Sequence, residues 1–477
     1  MNSDCLSAWL AKRTTPDRPL VCIQGLGFVG AAMAAAVTSA RNDIDEPFFD
    51  VIGVDLPTPE GKRRIEALNE GHFPFPTVDQ NLQKAIDTAH NMQNLFATCD
   101  AEIYSLASVI VVDIPLDVDF SAQPPTCQLE GFRASIRTIG KFASPNTLIL
   151  VETTVPPGVT EKVVVPELQK AANERGFSPD SFLVAHSYER VMPGKNYLDS
   201  IINFWRVYSG VSKQAADACE EFLTTFINTE KFPLTRLSMP VASESAKIME
   251  NSYRATTIAL MEEWGRFSEA ANFDIFEVID AIRIRPTHSN MRQPGFGVGG
   301  YCLTKDPLFA EIAAREFYGL DKLKFPFSDL SVAINQKMPL VSVCHVENEL
   351  CGIKGKRILL LGVSYRPEVA DTRYSPSEVF AKESIKKGAQ IVYHDPLVKI
   401  WPETGFSVLN EIPSPDGFDA LVFVTSHDIY HDLEIGKWLK NARPLIFDAN
   451  RVLSIPQMSE ARNLGCKVFS IGRGSSL

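Results

Sequence analysis

The sequence predicts an α/β protein in which two doubly wound, Rossmann-like domains are joined by a long-helix central domain. Three observations carry this. Short apolar runs alternate with polar helix-like stretches through about the first two hundred residues, long helical stretches with few strand signals fill about 214–349, and the alternation returns from 357 onward. The boundaries this implies are 1–212, 213–350 and 351–477.

The first element is the apolar run 20–24 (LVCIQ), a buried strand leading into Gly25, Gly27 and Gly30 and then into the small-residue helix signal 31–36. Strand, glycine turn and helix at G-x-G-x-x-G spacing form a dinucleotide fingerprint, in which the turn brings a pyrophosphate onto a helix N-terminus. The fingerprint needs a partner acid, and Asp55 supplies it at the end of the strand 49–54 (FDVIGV), placed for an adenosine ribose. Its spacing is longer than usual, and the polar insert 41–47 (RNDIDEP) accounts for the excess. An acid here favours NAD, because it would repel the 2′-phosphate of NADP. The runs 109–112 and 147–151 read as further buried strands, with the helix signal 129–142 between them. In the last third, 357–361 (RILLL) runs into Gly362, 389–394 (AQIVYH) ends at Asp395, and 420–424 (ALVFV) follows. The glycine turn there is incomplete and predicts no second dinucleotide.

Composition excludes several classes. A net charge of -11 without a basic run argues against a nucleic-acid partner. The uncharged stretch 20–40 is long enough to span a bilayer, but glycines at fingerprint spacing and many alanines make it a poor membrane helix. Asp4 and the charged stretch 12–18 interrupt any signal-peptide core. Nine cysteines without CxxC pairs signal neither a disulfide framework nor a zinc site, so the expectation is a cytoplasmic protein with no bound metal.

One thiol stands apart. The segment 294–307 (PGFGVGGYCLTKDP) sets Cys302 just after a glycine loop and four residues before Asp306. Glycines let a backbone approach a ligand, and free amides with Lys305 nearby favour a reactive thiolate. The competing reading is an inert buried cysteine. Lys247 and Asn251 lie four apart and so share one face of a helix, and the residues alone favour the ordinary reading of Lys247 as a lysine paired with Glu244 or Glu250.

Six ordered blocks now carry a resemblance: GLGFVG at 25–30, ETTVPPGVT at 152–160, YERVMPG at 188–194, ESAKIMENSYR at 244–254, the cysteine segment at 294–307, and YRPEVADTRYSPSE at 365–378. The chain resembles the nucleotide-sugar 6-dehydrogenases, which include the UDP-glucose, UDP-N-acetylhexosamine and GDP-mannose enzymes. The resemblance implies a four-electron oxidation at C6 of a nucleotide sugar: two NAD-dependent steps, with a thiohemiacetal and then a thioester on Cys302, and release by water. It implies catalytic roles for Cys302, Lys247, Asn251, Asp306, Glu189 and Thr154. It places Gly25, Gly27, Phe28, Val29, Gly30, Asp55, Pro115 and Thr154 against NAD. For the substrate it implies Glu189, Arg190, Val191, Lys247, Asn251, Arg254, Gly299, Tyr365 and Arg366, with the C-terminal unit receiving UDP. Arg373 lies in the same final block, and an internal salt bridge with Asp371 is an equal reading of it. A homodimer through the helical stretch 258–271 is also implied.

Some positions depart from the family pattern. Tyr188 stands where proline is usual, Ile114 replaces the threonine of a V-P-T-P strand end, Glu262 replaces an asparagine, and Arg366 stands where lysine is frequent. The YERVMPG block resembles the hexosamine branch more than the glucose branch, so UDP-N-acetylglucosamine or UDP-N-acetylmannosamine is the expected substrate and UDP-glucose the alternative. A catalytically silent nucleotide-sugar binding protein is the reading from another class.

Overall fold

Runs of β-branched and leucine residues form parallel strands here because both faces of each sheet are covered by helices. The computed structural model describes residues 3–11 and 17–474, so most of the charged stretch 12–18, and the side chain of Asp4, lie outside the described residues. Chain contacts divide the molecule into two compact units, one of residues 1–249 with 309–324, the other of 250–308 with 325–477.

In the first unit the strands are β1 (Leu20–Gln24), β2 (Asp50–Val54), β3 (Leu95–Thr98), β4 (Val109–Val112), β5 (Leu148–Val151), β6 (Leu183–His186), β7 (Val207–Gly210) and β8 (Thr235–Arg236). Their order across the sheet is β8-β7-β6-β5-β4-β1-β2-β3, all neighbours parallel except β6 and β7. The order reverses between β1 and β4, which is where an open α/β sheet offers a ligand crevice. Val21, Ile23, Val109, Val111, Leu148 and Leu150 join the alanine-rich helix α1 (Phe28–Thr38) in one core, while Cys22, Ile110 and Ile149 are buried on the alternate face. The amphipathic helices α2 (Glu130–Phe142) and α3 (Val165–Glu174) pack against each other. The uncharged stretch 20–40 is thus a strand, a turn and a helix, and no described helix is long and apolar enough to cross a membrane.

The 32-residue helix α4 (Pro240–Ala271) begins in this unit. Its Glu244, fully buried, accepts the backbone amides of Gly158 and Thr160 at 2.5 and 2.8 Å and so ties the start of α4 to the turn before α3. Burial pushes this carboxyl up to about 7, against the two amides that favour its ionised form. The helix α5 (Phe309–Tyr318) also belongs here, with Tyr318 packed against Gly158.

The second unit holds the rest of α4, the long helix α6 (Pro326–Glu349) and a five-stranded parallel sheet. Its strands are β9 (Arg357–Leu361), β10 (Gln390–His394), β11 (Ala420–Phe423), β12 (Leu445–Asp448) and β13 (Val468–Ser470), in the order β10-β9-β11-β12-β13. Ile358 and Leu360 enter one core with Phe380 of α7 (Pro376–Lys386), and Leu359 and Leu361 enter another with Met458 and Ala461 of α8 (Ile455–Asn463). Helices therefore cover both faces of this sheet too.

Candidate active site

The first unit presents the glycine turn after β1. Gly25 has φ +92°, and a Cβ there would lie 2.4 Å from the Asp113 carbonyl oxygen; a Cβ on Gly30 would stand 1.8 Å from the Gly25 carbonyl oxygen. These two glycines are therefore required by packing. Gly27 differs: it caps α1 without any side-chain acceptor, and a Cβ there would meet nothing within 4 Å. The first turn of α1 carries no acid, so its amide end is open to an anion. Phe28 stacks on Phe75 at 4.1 Å and its carbonyl accepts the Tyr197 hydroxyl, which fixes the direction of the helix start. Val29 is half-buried beside it, and Pro115 is exposed on the loop after β4. Asp55 ends β2 as expected, but its carboxylate is already engaged by the Leu26 and Leu56 amides and by Arg64 at 2.9 Å. The residues present fit a dinucleotide: an open cradle at Gly27, an uncapped helix end and an acid at the neighbouring strand end.

After β5 the two threonines divide their work. Thr153 is tied to the strand ends through the Val112 and Ile114 carbonyls and the Ile114 amide, whereas Thr154 is half-buried beside it. After β6, Glu189 is buried; its carboxylate accepts the Val191 amide, and Lys247 of α4 donates to its carbonyl at 2.8 Å and stands 3.5 Å from Oε1. The Lys247 ammonium also lies 5.5 Å over the Tyr188 ring, and Arg190 stacks on the same ring at 5.3 Å while bonding its hydroxyl. The tyrosine that replaces the family's proline is therefore a buried aromatic floor for two cations. Sequence reading expected Lys247 to pair with Glu244 or Glu250 as the ordinary alternative; Glu244 instead binds the amides described above.

In the second unit, Asn251 of α4 donates to Asp306 Oδ2 at 2.8 Å, and Lys305 donates to Oδ1 at 2.9 Å. All three are buried, so Asp306 is a fixed carboxylate held at both oxygens. The Lys305 ammonium, read from sequence as an activator of the thiol, is engaged by Asp306 and by the Tyr301 ring at 4.4 Å. Cys302 is exposed, and its carbonyl accepts the amides of Lys305 and Asp306, so it heads the turn that carries the buried acid.

The glycine loop before Cys302 packs rather than cradles. Cβ atoms on Gly299 and Gly300 would each stand 2.6 Å from the Tyr365 side chain, and one on Gly297 would meet Pro376 at 2.7 Å. Gly300 also donates its amide to the Arg373 carbonyl at 3.1 Å. The cysteine loop and the block 365–378 are thereby one piece of structure. Burial pushes the Tyr365 hydroxyl far up, with Asp371 and Cys302 adding to the effect. Arg373 makes a paired, two-toothed contact with Asp371, its closest bond 2.7 Å, and lies 5.2 Å over Tyr301, so the internal salt bridge is the reading the structure gives. Arg366 is half-buried, and Arg254 is exposed on α4 with its charge facing Arg292.

Sequence models of the UDP-glucose/GDP-mannose dehydrogenase family match this chain in three parts: the NAD binding domain over 19–227, the central domain over 241–337 and the UDP binding domain over 359–455. The chain belongs to that family. Curated relatives include the UDP-N-acetyl-D-mannosamine dehydrogenases of Methanocaldococcus jannaschii, 27% identical over 96% of this chain and 97% of that one, and of Pyrococcus horikoshii, 28% identical over 95% and 99%. Among solved structures, the UDP-D-ManNAc dehydrogenase of P. horikoshii superposes with a TM-score of 0.78 at 24% identity, covering 96% of this chain and 100% of that one. The UDP-glucose dehydrogenase of Pyrobaculum islandicum gives 0.78 at 21% identity over 97% and 99%. These structural likenesses establish the shared fold. As a member of the family, the protein is an NAD-dependent nucleotide-sugar dehydrogenase.

Two structural features beside the candidate site escaped sequence reading. Asp113 and Arg206 flank Glu152 at the strand ends, and Tyr188 supports Lys247. The first had a signal: the apolar runs VIVV and TLILV each end in an acid, and a buried acid needs a partner.

Proposed function

We propose that this dehydrogenase oxidises the C6 alcohol of UDP-N-acetylmannosamine to the carboxylic acid, with Cys302 as the covalent nucleophile. The observation that carries the proposal is the exposed Cys302 heading a turn whose Asp306 is locked by Asn251 and Lys305. The curated relatives named above support the choice of sugar, and the YERVMPG block supports a hexosamine.

Gly25, Gly27 and Gly30 would hold NAD, with Asp55 toward its ribose, and the bound cofactor would supply the hydride acceptor for each of two successive oxidations. The Cys302 thiolate adds to the aldehyde carbon, and the resulting oxygen takes a proton to give a thiohemiacetal. Loss of a hydride from that carbon and a proton from its hydroxyl gives the thioester, and water releases the acid and the thiol. Lys247 and Asn251 donate to the oxygen that becomes negative. Glu189 takes the proton of the attacking water, and Thr154 orients that water. Asp306, held at both oxygens, keeps the Cys302 turn and the Asn251 amide in place. Arg190, Val191, Arg254 and Gly299 border the sugar, and Tyr365 and Arg366 border the nucleotide. The division at 212/213 and 350/351 into cofactor, central and UDP-binding domains belongs to this reading, as does a cytoplasmic location.

Offered UDP-N-acetylmannosamine, UDP-N-acetylglucosamine and UDP-glucose separately, the enzyme is expected to show its highest kcat/KM with the first. Turnover of UDP-glucose alone would exclude the hexosamine assignment.

The protein is further proposed to form a homodimer through 258–271. On the second unit's part of α4, Tyr253, Leu260, Trp264 and Phe267 form an exposed apolar stripe, and Phe327 and Leu330 at the start of α6 are exposed as well. Light scattering at micromolar concentration should return twice the chain mass; a monomer would refute the interface.

A further inference from the structure

Behind the glycine turn lies a buried charge cluster that the catalytic roles leave unexplained. Asp113 and Glu152 are the residues next after Val112 and Val151, which are direct partners in β4 and β5. With Glu189, Arg206 and Lys247 they make three acids and two cations, exposed only 8%, 1%, 8%, 3% and 7% in that order. Arg206 pairs with Glu152, and Lys247 stands at Glu189. Among the described residues Asp113 has no ion-pair partner, and Asp113 Oδ2 and Glu152 Oε2 are both buried without a hydrogen-bond donor. Two such oxygens at adjacent strand ends are satisfied together by a single proton, which also brings three acids and two cations to zero net charge. The cluster abuts the dinucleotide turn: a Cβ on Gly30 would lie 3.3 Å from the Asp113 Cβ.

We propose that Asp113 and Glu152 share one proton and that this proton is linked to NAD binding, because it removes a negative charge from the wall behind the pyrophosphate. The linkage rests on the placement of NAD at Gly25–Gly30. Burial, then the neighbouring Glu152 charge, hold the Asp113 carboxyl well above the usual carboxylate range, with Glu189 adding to the rise and Arg206 opposing it. The sign follows. A group that is protonated when the anionic cofactor is bound and loses its proton as pH rises makes binding weaker at high pH, and cofactor binding takes up protons there.

Infrared difference spectra of the cofactor-free protein at neutral pH should show the carbonyl stretch of a protonated carboxylic acid that disappears in Asp113→Asn. Calorimetric titration with NAD alone, in buffers of different ionisation heat, should show proton uptake at alkaline pH and an affinity falling by up to about tenfold per pH unit. In Asp113→Asn both the uptake and the slope should vanish. Wild-type and Asp113→Asn spectra that match in the acid carbonyl region, where the buried Glu244 carboxyl also absorbs, or a pH slope retained in Asp113→Asn, overturn the proposal. Gly27→Val separates the two parts, since that position has open space: it should keep the band and lose NAD binding. Unchanged NAD binding in Gly27→Val would overturn the linkage while leaving proton sharing to be judged by the band.

Discussion

Cys302→Ser is expected to lose acid formation by on the order of a thousandfold or more, while NAD binding is unchanged. The reason lies in where the thiol sits. Gly297, Gly299 and Gly300 leave no room for side chains against Tyr365 and Pro376, so the loop has one course and delivers residue 302 to an exposed position at the head of the Asp306 turn. A serine fits that position without disturbing the packing, but its hydroxyl is a far weaker nucleophile than a thiolate. The variant should therefore form aldehyde from the alcohol and stall there. Steady-state kinetics with product analysis checks this; acid produced at a wild-type rate would remove Cys302 from the chemistry.

Arg206→Ala should destabilise the first unit by about 3–5 kcal/mol, the cost of leaving a buried carboxylate without its cation. Arg206 is buried, its guanidinium pairs with Glu152, and it reaches Met33 Sδ of α1 at 3.9 Å, so it also packs between the strand ends and the dinucleotide helix. Removing it leaves Glu152, Asp113 and Glu189 with Lys247 as the remaining cation of the cluster. Urea unfolding followed by near-ultraviolet circular dichroism measures the loss. A change below about 1 kcal/mol, the range of an exposed ion pair, would mean that the cluster is hydrated and that the buried balance described above is wrong.

Much of this architecture was legible because it depends on local pattern. The run LVCIQ, the G-x-G-x-x-G spacing and the acid at 55 each report on a few neighbouring residues, and β1, α1 and β2 follow them closely. The RILLL, AQIVYH and ALVFV runs likewise fall on β9, β10 and β11. The sequence named candidate residues for the site but not their partnerships. Lys247 and Asn251, read as a pair on one helix face, are held by different acids, Glu189 and Asp306, each more than fifty residues away in sequence. Lys305, adjacent to the thiol in sequence, spends its charge on Asp306. Periodicity cannot reveal such choices, because they are decided by which carboxylate the fold leaves buried and in need of a cation. The same holds for the glycine loop: its composition suggested approach to a ligand, whereas Gly300 lies against the Tyr365 ring and Gly299 against the Tyr365 Cβ, Pro376 and the Tyr374 carbonyl, with no room for a side chain at either.

The central claim, a four-electron oxidation through a covalent thioester, is tested most directly by counting the NADH formed from a limiting amount of UDP-N-acetylmannosamine in excess NAD. The account predicts two NADH per sugar, with the uronic acid as product. One NADH per sugar, with aldehyde accumulating in the wild-type enzyme, would contradict it.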